Sequence, residues 1–328
     1  MSDIKIFADA LRDKIREADS IAIMSHTSPD GDNLGSLEAM YGFLKGLNKE
    51  VVYLSNDDVP KDFAYLPSTT ARVDVSSVEE AFDLLIALDS SDADRFGSKG
   101  KELFEKAKFT VNIDHHMSNL SYADLNCVLP KATSTGEVLF RVLETMNATI
   151  TPAMATGFYT AISTDTGSFQ YDSVNGDTHR IIAKLYDAGC DHNTVVKSVY
   201  QSMSKEKLAL SARVLSDLRF MADGKISIAV CRLKDMEATG ASKDDTEGIV
   251  EKARNIDGVE MAIFLKEKAD EVKLSFRSKS YLNCTEFASV FGGGGHIRAS
   301  GASSSESLES VLEKVEALVK EKVENAGQ

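Results

Sequence analysis

The residues best equipped for chemistry fall into a few short runs. Ser25-His26-Thr27-Ser28-Pro29-Asp30-Gly31-Asp32 offers one imidazole and two carboxylates within seven positions, Asp114-His115-His116 offers three more donors, and Asp89 and Asp165 stand apart. Each follows a predicted element: Asp89 follows the apolar run Leu84–Leu88, Asp114 closes Phe109–Ile113, and Asp165 lies in Ser163-Thr164-Asp165-Thr166-Gly167 after a long helical stretch. An isolated Asp-Gly-Asp is ordinary loop chemistry, since Asp is common in turns and caps. At this composition, however, random placement would give H-x-x-x-D-x-D about 0.04 times and D-H-H about 0.01 times. Carboxylates and imidazoles crowded at one edge need a cation, and mixed His/Asp ligation suits Mn²⁺ or Fe²⁺ better than Ca²⁺. His26, Asp30, Asp32, Asp89, Asp114, His115, His116 and Asp165 are therefore the residues from which metal ligands can be drawn.

The elements that must position these residues can be read from periodicity. Residues 3–18 have helical spacing and lead into the buried strand Ile21–Met24; Leu37–Leu47 reads as helix, and Val51–Leu54, Leu84–Leu88 and Phe109–Ile113 as strands. Helices are expected over Ser134–Met146 and from Pro152 to about Ser163, Pro suiting a first turn. Short apolar strands alternating with helices predict a mainly parallel sheet covered on both faces, whose ligands bind beyond the strands' carboxyl ends. From Asn193 to Met221 the pattern is polar, Lys-rich and free of Gly and Pro, which predicts a connecting helix. Beyond Asp223-Gly224, the runs Ile226–Val230, Met261–Leu265 and Val272–Phe276 predict a second, smaller mixed sheet, and Leu308–Val323 a final helix. The expected organisation is thus an α/β chain with a metal-binding domain over 1–190, a helical linker over 191–221 and a second α/β domain over 222–328.

That second domain carries the run Gly292-Gly293-Gly294-Gly295-His296-Ile297-Arg298. Consecutive glycines let backbone N–H groups approach an anion closely, and Arg277, Lys279, His296 and Arg298 supply local positive charge. Arg grips phosphate in bidentate fashion, which favours Arg277 and Arg298 over Lys279. The candidate substrate-binding set is Arg277, Lys279, Gly293, Gly294, Gly295, His296 and Arg298. His179 and His192 read as surface residues, and Tyr171 and Tyr200 as core packing in preference to base stacking.

These motifs resemble the DHH/DHHA1 phosphoesterases, over nearly the whole chain: H-x-x-x-D-x-D at His26, Asp30 and Asp32, the strand-end Asp89, the name-giving Asp114-His115-His116, Asp165, and a GGGH-like motif at Gly293–His296 followed by Ala299-Ser300-Gly301. Length and two-domain layout are most similar to the stand-alone nanoRNase/pAp phosphatase branch. The resemblance implies two Mn²⁺ ions, one held by His26, Asp30 and Asp89, the other by Asp32, Asp89, His115 and Asp165, with Asp89 bridging. It also implies that His116 faces the substrate phosphate and assists the leaving oxygen. Asp114 then reads as an acceptor that orients a His, as metal-site imidazoles usually require. Asn33 stands where many relatives carry Ala.

A metal pair about 3.5–4 Å apart can share a water and lower its pKa from about 15.7 towards 7, making a bridging hydroxide the expected nucleophile. The activity expected is hydrolysis of short oligonucleotides to nucleoside 5′-monophosphates and of 3′-phosphoadenosine 5′-phosphate (pAp) to AMP. The alternative within the family is a stand-alone phosphodiesterase for c-di-AMP or its linear product pApA, with inorganic pyrophosphatase and a non-catalytic nucleotide-binding regulator further behind. The 328 residues carry 37 Lys plus Arg against 51 Asp plus Glu, a net charge of −14, which opposes tracking of a long duplex. No run is long and apolar enough to span a membrane, and the opening segment lacks a signal core, so the expected location is cytoplasmic. Cys127, Cys190, Cys231 and Cys284 are scattered without a CxxC pair, which predicts free thiols; a homodimer is left open.

Overall fold

The structure is a computed structural model that describes residues 2–324, and the chain divides into two compact units between Ser202 and Met203. The first unit runs α1 (Ser2–Glu17), β1 (Ile21–Met24), α2 (Gly31–Gly46), β2 (Val51–Ser55), β3 (Arg72–Asp74), β4 (Leu84–Leu88), α3 (Gly97–Lys106), β5 (Thr110–Asp114), β6 (Leu125–Val128), α4 (Thr135–Thr145), α5 (Pro152–Asp165), α6 (Gly176–Asp187) and α7 (His192–Val195). Its six strands form one sheet in the order β3-β2-β1-β4-β5-β6, and every pair is parallel.

The central strands β1 and β4 are apolar and buried throughout because both faces are covered. Ile21 and Ile23 of β1 pack with α1, α2, α4 and α5, while Ala22 and Met24 join Leu54, Phe96, Leu103 and Phe104 beneath α3. The chain proceeds from β1 outward to β2 and β3, then returns to place β4 on the other side of β1. Strand order therefore reverses between β1 and β4, the switch point where open sheets of this kind bind ligands. Met24 pairs with Ala87, and Leu88 with Ile113, so the residues just past β1, β4 and β5 come out side by side.

The second unit runs α8 (Lys205–Ser216), β7 (Arg219–Met221), β8 (Ile226–Cys231), α9 (Leu233–Thr239), α10 (Ile249–Arg254), β9 (Met261–Glu267), β10 (Val272–Ser278), α11 (Cys284–Ala288), β11 (Gly294–His296), β12 (Ala299–Ser304) and α12 (Leu308–Val319). Its sheet order is β11-β12-β10-β9-β8-β7, antiparallel except for β8 with β9. Leu274, Phe276, Ile263 and Ile228 pack against α11 and α12 on one face, and Ala229, Ala262 and Phe264 against α8 and α10 on the other. The expected mixed sheet is present.

Residues 193–221 are not one helix. They form α7, a π-helical turn Val196–Tyr200, a break over 201–204, then α8, capped by the Ser204 side chain on the Lys207 N–H; Arg219–Met221 is already an edge strand. All four cysteines are free. Among the described residues no helix is long and apolar enough to cross a membrane.

Candidate metal centre

The metal loop begins where β1 ends. The Ser25 hydroxyl donates to Leu88 O at 2.6 Å, tying the ends of β1 and β4 together. The His26 Nδ1–H donates to Thr27 O at 2.7 Å, which turns Nε2 toward the carboxylates. Asp30 caps α2 by accepting the Asn33 N–H at 3.0 Å, and the Asn33 amide donates to His26 O at 3.2 Å. Asn33, buried, thus braces the loop on both sides; alanine would keep the backbone bond to Asp30 but not the amide bond to His26 O.

Four carboxylates and three imidazoles converge here. His26 Nε2 lies 3.4 Å from Asp89 Oδ2 and 4.0 Å from Asp30 Oδ2. His115 Nε2 lies 3.4 Å from Asp165 Oδ2, 3.7 Å from Asp32 Oδ2 and 3.9 Å from Asp89 Oδ1. These separations are long for hydrogen bonds, yet they are the spacing of two donors each about 2.1 Å from one ion, roughly 3–4 Å apart. Within the set, His26/Asp30/Asp89, Asp32/His115/Asp165 and Asp89/His115/His116 each bring one ligand atom per residue within 4.8 Å of one another. The donor set therefore fits divalent cations, with Asp89 common to two of the groups.

Electrostatics make the same demand. Burial, then the charges of Asp89, Asp165 and Asp30, hold the Asp32 carboxyl well above its usual range. Asp165 is pushed up to about 7, by burial first and by Asp89 and Asp30 next, against the pull of His115. Burial opposes ionisation of Asp89 as well, but His26, His115 and His116 overcome it and hold Asp89 below the carboxylate range. Mutual repulsion of this strength is relieved by a cation placed among the groups.

Asp89 also adopts a left-handed backbone, φ +57°, a costly conformation for a non-glycine residue that persists only where its surroundings impose it. The α4 N-terminus, capped by Ser134, grips Asp32: the Thr135 and Gly136 N–H groups donate to its two oxygens at 2.7 and 2.9 Å. The Thr135 hydroxyl donates to Asp89 Oδ1 at 3.0 Å. These contacts span more than a hundred residues for Asp32, and nothing in the local sequence around Thr135 announces them.

Asp114 is fully buried and accepts from His116 Nδ1 at 2.7 Å, so the orienting partner serves His116. Its other oxygen accepts from Asn119 at 2.6 Å. Burial would lower the His116 pKa, but Asp114 and Asp89 together raise it. A protonated imidazole beside a metal-ligand set is suited to delivering a proton to a leaving oxygen.

In the second unit, His296 pairs with Ala299 and Ala299 with Arg277, so the end of the Gly run, Arg277 and Arg298 share one end of the sheet. A Cβ on Gly293 would lie 2.1 Å from Gly301 O, and Gly295 has φ +141° with its Cβ position 2.7 Å from Ala299 O. These two glycines are required by the close pairing of β11 on β12; Gly294 has open space. Arg277 pairs with Glu251 at 3.1 Å, Lys279 Nζ donates to Ile256 O at 2.8 Å, and Arg298 donates to Leu282 O at 2.9 Å. Tyr171 and Tyr200 are 43% and 42% exposed, so neither is core packing; the Tyr200 hydroxyl lies 2.7 Å from Ser163 Oγ on α5, and the Tyr171 ring lies against Gly167. His179 is exposed, while half-buried His192 packs edge-on against Tyr159 and Tyr186.

A doubly wound parallel sheet carrying a His/Asp divalent-cation centre at its switch point, followed by a smaller mixed-sheet domain, defines the class. The model of the DHH family, N-terminal domain, matches residues 20–162, and that of the DHHA1 domain matches residues 223–321. The chain belongs to the DHH/DHHA1 phosphoesterase family. It is 28% identical, over 94% of its length and 91% of the relative's, to the bifunctional oligoribonuclease and PAP phosphatase NrnA of Thermus thermophilus. It is 24% identical to the protein of the same name from Bacillus subtilis, over 92% and 96%. A solved exopolyphosphatase-related protein from Bacteroides fragilis superposes with a TM-score of 0.91 at 27% identity, covering 97% of this chain and 98% of that one.

Proposed function

We propose that the protein is a two-metal phosphoesterase that hydrolyses short oligonucleotides and linear dinucleotides to nucleoside 5′-monophosphates, and pAp to AMP, with Mn²⁺ as the working ion. The observation that carries this reading is the adjacency of the His26/Asp30/Asp89 and Asp32/His115/Asp165 groups, with Asp89 Oδ1 3.9 Å from His115 Nε2. His26, Asp30 and Asp89 would hold one ion, and Asp32, Asp89, His115 and Asp165 the other. When bound, such ions supply Lewis acidity and an activated water.

The chain's own residues do the rest. Asp89 keeps both groups in register through its imposed backbone. Asp114 holds the His116 ring at Nδ1, which directs Nε2 to the leaving oxygen and lets the imidazolium give up its proton there. Gly293, Gly294, Gly295, His296, Arg277 and Arg298 would receive a substrate phosphate, with Lys279 beside them. The names of the Thermus thermophilus and Bacillus subtilis relatives support short RNA and pAp as substrates. The acidic balance favours short over long nucleic acid. The proposed location is cytoplasmic.

The test is a chromatographic product profile of the purified protein given equimolar pAp, pApA, a five-residue RNA and c-di-AMP in one tube, with Mn²⁺ or Mg²⁺. Fast loss of pAp and stepwise release of mononucleotides, c-di-AMP remaining intact and Mn²⁺ outperforming Mg²⁺, is the expected result. Rapid loss of c-di-AMP would move the protein to second-messenger turnover.

A further inference from the structure

Asn119 stands five residues past Asp114, on the loop between β5 and β6 and outside every ligand group. Its Nδ2 lies 2.6 Å from Asp114 Oδ2, 2.8 Å from Asn112 Oδ1 and 3.2 Å from Ser90 O, while its Oδ1 accepts the Ser121 N–H at 2.7 Å. The Ser90 carbonyl is itself a meeting point, accepting also from Asn112 Nδ2 at 3.2 Å and from the Tyr122 hydroxyl at 3.1 Å. Ser90 directly follows Asp89, whose left-handed backbone must be held by its surroundings. One amide thus joins the end of β4, which carries Asp89, to the end of β5, which carries Asp114.

The geometry has a direct chemical consequence. The Asp114 carboxylate is held at both oxygens, by Asn119 at Oδ2 and by His116 at Oδ1. Removing the Asn119 donor leaves Asp114 Oδ2 without this partner, so the carboxylate can turn about its contacts at Oδ1, to His116 and, at 3.5 Å, to the Thr135 hydroxyl, and the His116 ring turns with it. Misplacement of a proton donor lowers turnover without altering ground-state binding.

We propose that Asn119 is a positioning residue for the hydrolysis: it locks Asp114, and through Asp114 the His116 imidazole, to the turn that carries Asp89. The inference rests on the phosphoesterase reading above and adds to it a residue that contacts neither ion nor substrate.

The test compares Asn119→Ala and Asn119→Asp, each alone and combined with Asp114→Asn, in the Mn²⁺-loaded full chain acting on the five-residue RNA and on pAp. The aspartate variant keeps the shape of the side chain and its acceptor for Ser121 but, when ionised, has no proton to donate and repels Asp114, so a folding defect confined to the alanine variant does not decide the matter. Each single variant is expected to lose at least about tenfold in kcat with KM and Mn²⁺ affinity within about twofold. In the Asp114→Asn background the same change should cost less than about twofold, because two residues acting through one path are not additive. Unchanged kcat, equal losses in both backgrounds, or lost Mn²⁺ affinity would overturn the proposal. If the wild-type chain cleaves neither substrate, the phosphoesterase reading fails by itself. Asn119 is then judged by the His116 Nδ1–H signal in ¹⁵N-histidine NMR of the Mg²⁺-loaded chain: broadening in Asn119→Asp supports the role, and an unaltered signal refutes it.

Discussion

Gly35 of α2 and Gly157 of α5 face one another with no side chain between them. A Cβ on Gly35 would lie 2.3 Å from Gly157 O, and one on Gly157 2.7 Å from Gly35 O. This backbone-to-backbone crossing lets the start of α2 deliver Asp32 to the end of α5, where Asp165 stands, both within reach of the His115 ring. Gly35→Ala should push the helices apart, at about 1–3 kcal/mol of overpacking cost. Mn²⁺ affinity should fall with the melting temperature; titration and thermal melts check both, and an unaltered affinity would mean that the crossing does not set the ligand geometry.

The parts of the fold that were legible beforehand are those with unbroken apolar runs. Ile21–Met24, Leu84–Leu88 and the strand ending at Asp114 were marked by composition alone, and with them the positions of His26, Asp89 and the Asp114-His115-His116 run at one sheet edge. α5 was expected to stop near Ser163 and continues to Asp165, placing that carboxylate on the helix itself. Elements with mixed patterns escaped: β6 is only Leu125–Val128, α3 is largely polar, and α6 starts on an Asn175/Thr178 capping box within a polar stretch. The break between α7 and α8 was invisible because Gln201-Ser202-Met203-Ser204 contains neither Gly nor Pro. Above all, the grip of Thr135 and Gly136 on Asp32, and that of Asn119 on Asp114, depend on which loops the sheet order brings together. No periodicity carries that information.

Asp89→Asn tests the two-metal scheme with least disturbance to the fold. Asn tolerates a left-handed backbone, so the φ of +57° can be kept while the shared charge is lost. Turnover should fall by about 10³-fold or more, with weaker loading of both ions measured by calorimetry. Near-normal turnover would sink the scheme in which Asp89 serves both sites.

Arg298→Ala should raise KM far more than it lowers kcat, because a phosphate-gripping guanidinium supplies binding to ground and transition states alike. The same change removes its bond to Leu282 O and should cost about 1 kcal/mol of stability, seen as a lower melting temperature. Steady-state kinetics on pAp and the five-residue RNA decide the point. An unchanged KM alongside the lowered melting temperature would leave Arg298 with a purely structural role.

Finally, the metal-free protein should lose stability as pH rises from about 5 to 8, the reverse of ordinary acid denaturation. Asp32 and Asp165 titrate above the unfolded carboxylate value, Asp165 near about 7, and His26 and His116 titrate above the unfolded imidazole value. For all four, the folded state binds protons more tightly than the unfolded chain. Their contributions are complete below the unfolded pKa values and disappear as pH climbs through the folded ones. Asp89 and Asp114 shift the other way, and their stabilisation is lost only in strong acid. Saturating Mn²⁺ should reverse the trend, since binding requires deprotonated ligands and strengthens with pH. Thermal melts at about pH 5.5 and 7.5, with chelator and with Mn²⁺, measure both slopes. The net charge of −14 also adds repulsion as pH rises, so Asp165→Asn is the control: it should flatten the metal-free slope while leaving that general repulsion in place. A slope identical in the variant would assign the effect to net charge and not to the carboxylates of the metal centre.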